Sequence, residues 1–227
     1  FEHTLALKAL EAGIHGLRLN PGNIRKAEDV REVVAMAKER AIPIRIGVNF
    51  GSVAPMPESF VDEMAAQNAT QVELRAEWLV RSALGHIRIL EDLDFGLTKV
   101  SLKAFELPVL FEAYRRFAAL PNDYPLHLGV TDARTPRAGS VRSATGIGTL
   151  LALGIGDTIR VSLTTDPVEE VFVGFEILKS LELRQKGATL IACPTCVRVE
   201  VDLFTLANQV DDYLATVREP IRVAVMG

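Results

Sequence analysis

Short runs rich in branched apolar residues alternate with longer amphipathic stretches along the chain. The strand-like runs occupy residues 15–20, 42–49, 97–104, 124–131, 157–164, 188–192 and 221–226. Helical patterns lie between them, at 23–41, across the long 58–93 region, and at 108–119, 148–153, 167–186 and 202–218. In the last of these, Leu203, Leu206, Val210 and Leu214 recur with the helical period. Successive strand starts fall roughly 27 to 55 residues apart, the rhythm of strand–helix–strand units in a parallel sheet. Such units predict an α/β chain, either part of a (β/α)₈ barrel or a doubly wound open sheet.

The polar positions within the strands separate these two. Residues two apart share one face of a strand. Arg18 and Asn20 form such a set, as do Arg45, Gly47 and Asn49, then Ser101 and Lys103. His127, Gly129 and Thr131 form another, and Arg160, Ser162 and Thr164 a fifth. The alternate positions are apolar throughout, for example Ile44/Ile46 and Val100/Leu102. Strands of an open parallel sheet, covered on both faces, would be apolar nearly throughout. A barrel whose interior opens into a polar pocket at the strands' C-terminal ends fits better.

On that reading Arg18, Arg45, Lys103 and Arg160 converge at one rim, where they repel one another unless an anion joins them. The formal net charge is −4, so a local excess of cations says more here than it would in a basic protein. Arginine forks suit phosphate oxygens bidentately, and Asn20, Asn49, Thr131 and Ser162 could complete an oxygen shell. The expected ligand is a small phosphorylated or diphosphorylated molecule. His127 is as readily a hydrogen-bonded structural residue as an acid, and Asp132 either an acid/base group or a loop cap. Gly146-Ile147-Gly148 invites a phosphate-loop reading but lacks the full dinucleotide fingerprint, so a tight turn is expected there. The acidic balance speaks against a nucleic-acid surface, and no apolar run approaches the ~18 residues of a membrane span.

There are two cysteines, in Cys193-Pro194-Thr195-Cys196, after a strand and before a helix. Two thiolates at this spacing can join in one metal centre or form a redox disulfide. So sparse a cysteine content fits a reducing, cytoplasmic setting better than a secreted disulfide framework. Zinc would need two further Cys or His ligands, and all four histidines lie far upstream. An iron–sulfur cluster would likewise need more ligands.

Four stretches and the cysteine motif carry a resemblance. They are Leu17-Arg18-Leu19-Asn20-Pro21-Gly22-Asn23-Ile24, Ile42-Pro43-Ile44-Arg45-Ile46-Gly47-Val48-Asn49, Pro125-Leu126-His127-Leu128-Gly129-Val130-Thr131 and Gly154-Ile155-Gly156-Asp157-Thr158-Ile159-Arg160-Val161-Ser162-Leu163. With Cys193-Pro194-Thr195-Cys196 followed by Asp202-Leu203, the chain resembles the 4-hydroxy-3-methylbut-2-enyl diphosphate synthase family in one collinear register. The resemblance implies about the last five βα units of a TIM barrel over residues 1–180. Residues 181–227 would then begin a smaller α/β domain that holds a [4Fe-4S] cluster. It implies reductive ring opening of 2-C-methyl-D-erythritol 2,4-cyclodiphosphate, with electrons from flavodoxin or ferredoxin, in a homodimer. Arg18, Asn20, Arg45, Asn49, Lys103, Thr131, Arg160 and Ser162 match the family's substrate contacts, His127 and Asp132 its catalytic pocket, and Cys193 and Cys196 two cluster ligands.

The match departs from the family in three places. Asp132 stands where the family has glutamate, one methylene longer. Val197 and Val199 replace a usual glycine and threonine beside the cluster. The family's third cysteine directly follows a Val-Met-Gly such as Val225-Met226-Gly227. The resemblance therefore implies that three barrel strands precede Phe1 and further cluster ligands follow Gly227, and that this stretch by itself turns over no substrate. The rival readings are a redox-neutral barrel aldolase or isomerase using Lys103 as a Schiff base, and a non-catalytic zinc module.

Overall fold

A computed structural model describes residues 2–19, 26–131 and 133–227. The chain divides into two compact units, Phe1–Gly174 and Phe175–Gly227. In order, the elements are α1 (His3–Glu11), β1 (Leu17–Leu19), α2 (Ala27–Glu39), β2 (Ile44–Asn49), α3 (Glu58–Ala66), α4 (Gln71–Asp92), β3 (Thr98–Lys103) and α5 (Leu107–Ala118). They continue with β4 (His127–Leu128), α6 (Pro136–Ala152), β5 (Thr158–Ile159), α7 (Pro167–Ser180), β6 (Thr189–Ala192), α8 (Leu203–Leu214) and β7 (Arg222–Val225).

In the first unit β1, β2 and β3 are parallel neighbours in chain order, and β4 pairs with β5 in the same sense. A parallel bridge between Val100 and Leu126 links the two groups. Among the described residues, strand order thus advances one at a time. The apolar strand face is buried: Ile44, Ile46, Val48, Val100, Leu102, Leu126 and Leu128 lie beneath the helices, together with Leu10, Val33, Leu79, Tyr114, Phe117, Ile147 and Leu150. The opposite face carries the polar set, which is what strand alternation demands.

Two expectations about helices change. The 58–93 stretch is not one helix but two, because Asn68 takes a left-handed φ of 55° and Thr70 starts a new helix with a capping box to Glu73. The helix expected at 148–153 begins at Pro136, whose fixed φ suits a first helical turn. Gly146 and Gly148 are therefore mid-helix and form neither a phosphate loop nor a tight turn. Gly146 instead lets α6 approach the sheet, since a Cβ there would press on Val130, Leu107 and Leu110.

In the second unit β6 and β7 run parallel, with Ala192 in register with Val225, and α8 connects them. Asp202 caps α8, accepting from the Thr205 N–H at 3.2 Å. Among the described residues, no helix is long and apolar enough to cross a membrane.

Candidate anion and thiolate sites

Arg18 on β1, Arg45 near the start of β2, Lys103 at the end of β3 and Arg160 just after β5 share one electrostatic neighbourhood. Arg18 lies level with Arg45, and Asn49 level with Lys103. Burial, then Arg160, holds the Arg18 guanidinium below its ordinary pKa, and burial, then Arg18 and Arg160, does the same to Arg45. Lys103 is 5% exposed, and burial, followed by Arg160, Arg45 and Arg18, brings its ammonium down to about 7. The shifts of Arg18, Arg45 and Lys103 all point one way, first because burial disfavours the charged form and then because neighbouring cations repel.

Among the described residues, none of the four forms an ion pair with a carboxylate; their hydrogen bonds go to neutral oxygens. Arg18 Nη2 donates to the Gly47 carbonyl at 3.0 Å and Arg45 Nη1 to Ser101 Oγ at 3.4 Å. Arg160 donates to Ser162 Oγ through Nε at 3.0 Å and Nη2 at 2.7 Å. Other arginines do find carboxylates: Arg81 pairs with Glu63 and Glu77, and Arg116 with Glu73, Glu77 and Glu112.

His127 shares a 2.8 Å hydrogen bond between Nδ1 and Thr158 Oγ1. Burial, then Arg45, Lys103, Lys99 and Arg160, drives its imidazole down to about 3, so it is neutral at any ordinary pH. Asn49 faces the same region, but its Oδ1 accepts from the Gly51 N–H at 3.3 Å and caps the short 3₁₀ turn Phe50–Ser52. Thr131 is half-buried just beyond β4. Asn20 and Asp132 lie outside the described residues.

Three residues of this neighbourhood were not singled out from sequence. Lys99 and Thr158 continue the two-residue alternation through Ser101 and Arg160 backwards by one step, so the period that found the others would have found them. Tyr114 had no such signal. From α5 its buried hydroxyl accepts from the Leu102 N–H at 3.1 Å and donates to the His127 carbonyl at 2.7 Å. It thereby ties β3 to β4 where ladder pairing is thin. Tyr114→Phe strands both backbone groups and is expected to cost roughly 1–3 kcal/mol in urea unfolding, with a shifted His127 ring resonance. Unchanged unfolding with an unmoved His127 signal would remove the tie.

In the second unit Cys193 follows β6, its backbone N–H donating to the Val225 carbonyl at 3.0 Å. Cys193 is half-buried, Cys196 exposed, and both are free thiols. Their soft sulfur donors, on one loop, fit an iron–sulfur or zinc centre as two of its ligands. Among the described residues, no group of three or more Cys, His, Asp or Glu side chains is arranged to hold a metal ion.

Comparison with known proteins accounts for the whole chain. Residues 1–175 match the GcpE TIM-barrel domain, and residues 189–227 the GcpE protein C-terminal domain. Over all 227 residues the chain is 56% identical to a protein of Dehalococcoides mccartyi, covering 62% of that protein. It is 52% identical to one of Geobacter sulfurreducens, covering 61%, and 51% identical to one of Bacillus pumilus, covering 58%. All three are named 4-hydroxy-3-methylbut-2-en-1-yl diphosphate synthase (flavodoxin). The chain thus spans about three fifths of the length of these relatives. With a family model matching most of its length, the chain belongs to the GcpE family.

Proposed function

We propose that this chain supplies the diphosphate-binding face and two cluster ligands of an enzyme that opens the ring of 2-C-methyl-D-erythritol 2,4-cyclodiphosphate. The product is 4-hydroxy-3-methylbut-2-enyl diphosphate, an isoprenoid precursor. Two electrons and two protons enter, a ring C–O bond breaks, and one hydroxyl leaves as water. On this reading the five parallel strands of the first unit are part of a (β/α)₈ barrel, and residues from about 181 begin the cluster domain. The single observation that supports it most is the set of four cations that have no carboxylate partner among the described residues. A buried lysine among three arginines is a costly arrangement unless a multiply charged anion completes it.

Arg18, Arg45, Lys103 and Arg160 bind the phosphate oxygens, and Asn49, Thr131 and Ser162 fill the remaining oxygen contacts, with Asn20 in the same role. The cations hold the ring at a fixed position while the surrounding protein strengthens their field by excluding water. His127, neutral beside them, offers a hydrogen bond without adding to the repulsion, and Asp132 is the acid/base candidate. Cys193 and Cys196 would hold a [4Fe-4S] cluster, which when bound supplies the electrons. The Cys193 N–H donates to the Val225 carbonyl at 3.0 Å, and the resemblance puts the family's third cysteine directly after Gly227, which supports this reading. A flavodoxin-type donor accords with the names of the relatives, a homodimer with the family resemblance, and a reducing cytoplasm with the free thiols.

Calorimetric titration of the cyclic diphosphate into the chain tests the site. Binding in competition with inorganic pyrophosphate is expected, weakened roughly tenfold or more by Arg45→Ala or Arg160→Ala. Equal affinity for a sugar monophosphate would overturn it. One observation favours a second reading: a lysine brought down to about 7 is what a Schiff-base nucleophile needs. Borohydride trapping of a carbonyl substrate on Lys103 would establish that alternative.

A further inference from the structure

The strand register creates a packing problem within the cation set. Arg18 stands level with Arg45, and Arg45 level with Lys99, on one polar face. Three cationic side chains rising straight from three adjacent strands would meet at about 5 Å spacing, the distance between neighbouring strands. Two of them instead lean across. Arg18 reaches the position two residues beyond Arg45 on β2, which is Gly47, and Arg45 reaches the position two beyond Lys99 on β3, which is Ser101. Small residues occupy the places onto which the arginines fold.

We propose that Gly47 is a positioning residue: its missing side chain forms the seat on which the Arg18 guanidinium lies, and so fixes where Arg18 meets an anion. A Cβ at position 47 would overlap Arg18 Nε and stand 3.2 Å from its Cδ and Cγ. Its three nearest neighbours are all atoms of Arg18, none of them backbone. Gly47 also lacks the left-handed φ seen at Gly13, Gly154, Gly156 and Gly187, so an L-residue fits its backbone. The glycine is required by the arginine it carries, not by the strand. Added bulk is relieved by moving Arg18 off β2, and the fold has no reason to change.

Gly129 repeats the device from the other side. A Cβ there would lie 3.1 Å from Lys103 Nζ, but also 3.1 Å from the Arg160 carbonyl. Because backbone is involved, Gly129 cannot separate positioning from folding, and Gly47 can.

The consequence for binding rests on the anion site proposed above; the seat itself does not. The experiment therefore carries two readouts, using Gly47→Ala, Arg18→Ala and the double variant of this chain. Pyrophosphate affinity is measured by calorimetry, and the Arg18 Nε–Hε resonance, assigned by its loss in Arg18→Ala, by ¹⁵N NMR. Gly47→Ala is expected to weaken pyrophosphate about as much as Arg18→Ala, roughly tenfold, with no further loss in the double variant. Its Arg18 resonance shifts. Wild-type affinity with an unmoved Arg18 resonance would overturn the seat, as would fully additive losses. Should Gly47→Ala melt early, Arg18→Ala in the same chain restores the melting temperature if the clash is with Arg18; failure to restore it overturns the proposal. A wild-type chain that ignores pyrophosphate sinks the anion site instead, and the Arg18 resonance alone then decides the seat.

Discussion

Inorganic pyrophosphate is expected to bind this chain with uptake of a proton by Lys103, and to bind less tightly as the pH rises above about 7. The free ammonium loses its proton near that pH because it is buried and because Arg160, Arg45 and Arg18 face it. His127, already neutral, faces it too and contributes no charge in this range. An anion placed among these groups reverses the sign of the local field and returns the lysine towards its ordinary value of 10.5. Between the two values the complex holds one proton more than the free chain. Affinity then falls by up to about tenfold per pH unit over that window, one proton's worth of linkage. Below pH 7 both states are protonated and Lys103 adds no slope. Pyrophosphate titrates in the same range, so the comparison is with Lys103→Arg, which keeps a charge that never leaves. The difference in slope between the two chains isolates Lys103, and heats in buffers of different ionisation enthalpy count the proton. Parallel slopes would show that Lys103 is charged before the anion arrives.

How much of this could be read in the sequence follows from which signals are local. The two-residue alternation of Arg45, Gly47 and Asn49, and of Ser101 and Lys103, is a property of a strand by itself, and it located the polar face correctly. Helix boundaries that depend on one conformational choice were harder. Asn68 and the Thr70–Glu73 capping box break the 58–93 stretch, and the signature was present but outweighed by the apolar periodicity around it. Gly146 looked like a loop glycine because its reason, close packing of α6 on Val130, lies in tertiary contact. Tyr114 was invisible for the same cause: a tyrosine on an amphipathic helix gives no sign that its hydroxyl will join Leu102 to His127. The lean of Arg18 onto Gly47 needs the inter-strand register, which no single strand specifies.

The same unpaired charge that makes an anion site should cost the empty chain stability, so Lys103→Met is expected to stabilise it at neutral pH. The sign follows from proton counts. Unfolded, Lys103 has its ordinary pKa of 10.5; folded, it is brought to about 7 by burial and then by its three arginine neighbours. Between those values the unfolded chain binds more protons, so wild-type stability rises with pH across that interval relative to the methionine variant. Below pH 7 the full penalty is in force. Replacing a buried, uncompensated charge by an apolar side chain of similar length removes that penalty. The methionine variant should therefore unfold at higher urea at pH 7, with its advantage shrinking towards pH 10. Pyrophosphate should reverse the order, stabilising the wild type in proportion to its occupancy and the variant far less. A variant less stable than wild type at pH 7 without anion would mean that Lys103 has a partner in the folded chain. An advantage constant with pH would mean that methionine acts through packing alone. Only an advantage that fades as the lysine loses its proton, and is overtaken when an anion is added, is the behaviour of a cation held in place for a ligand at the expense of the fold.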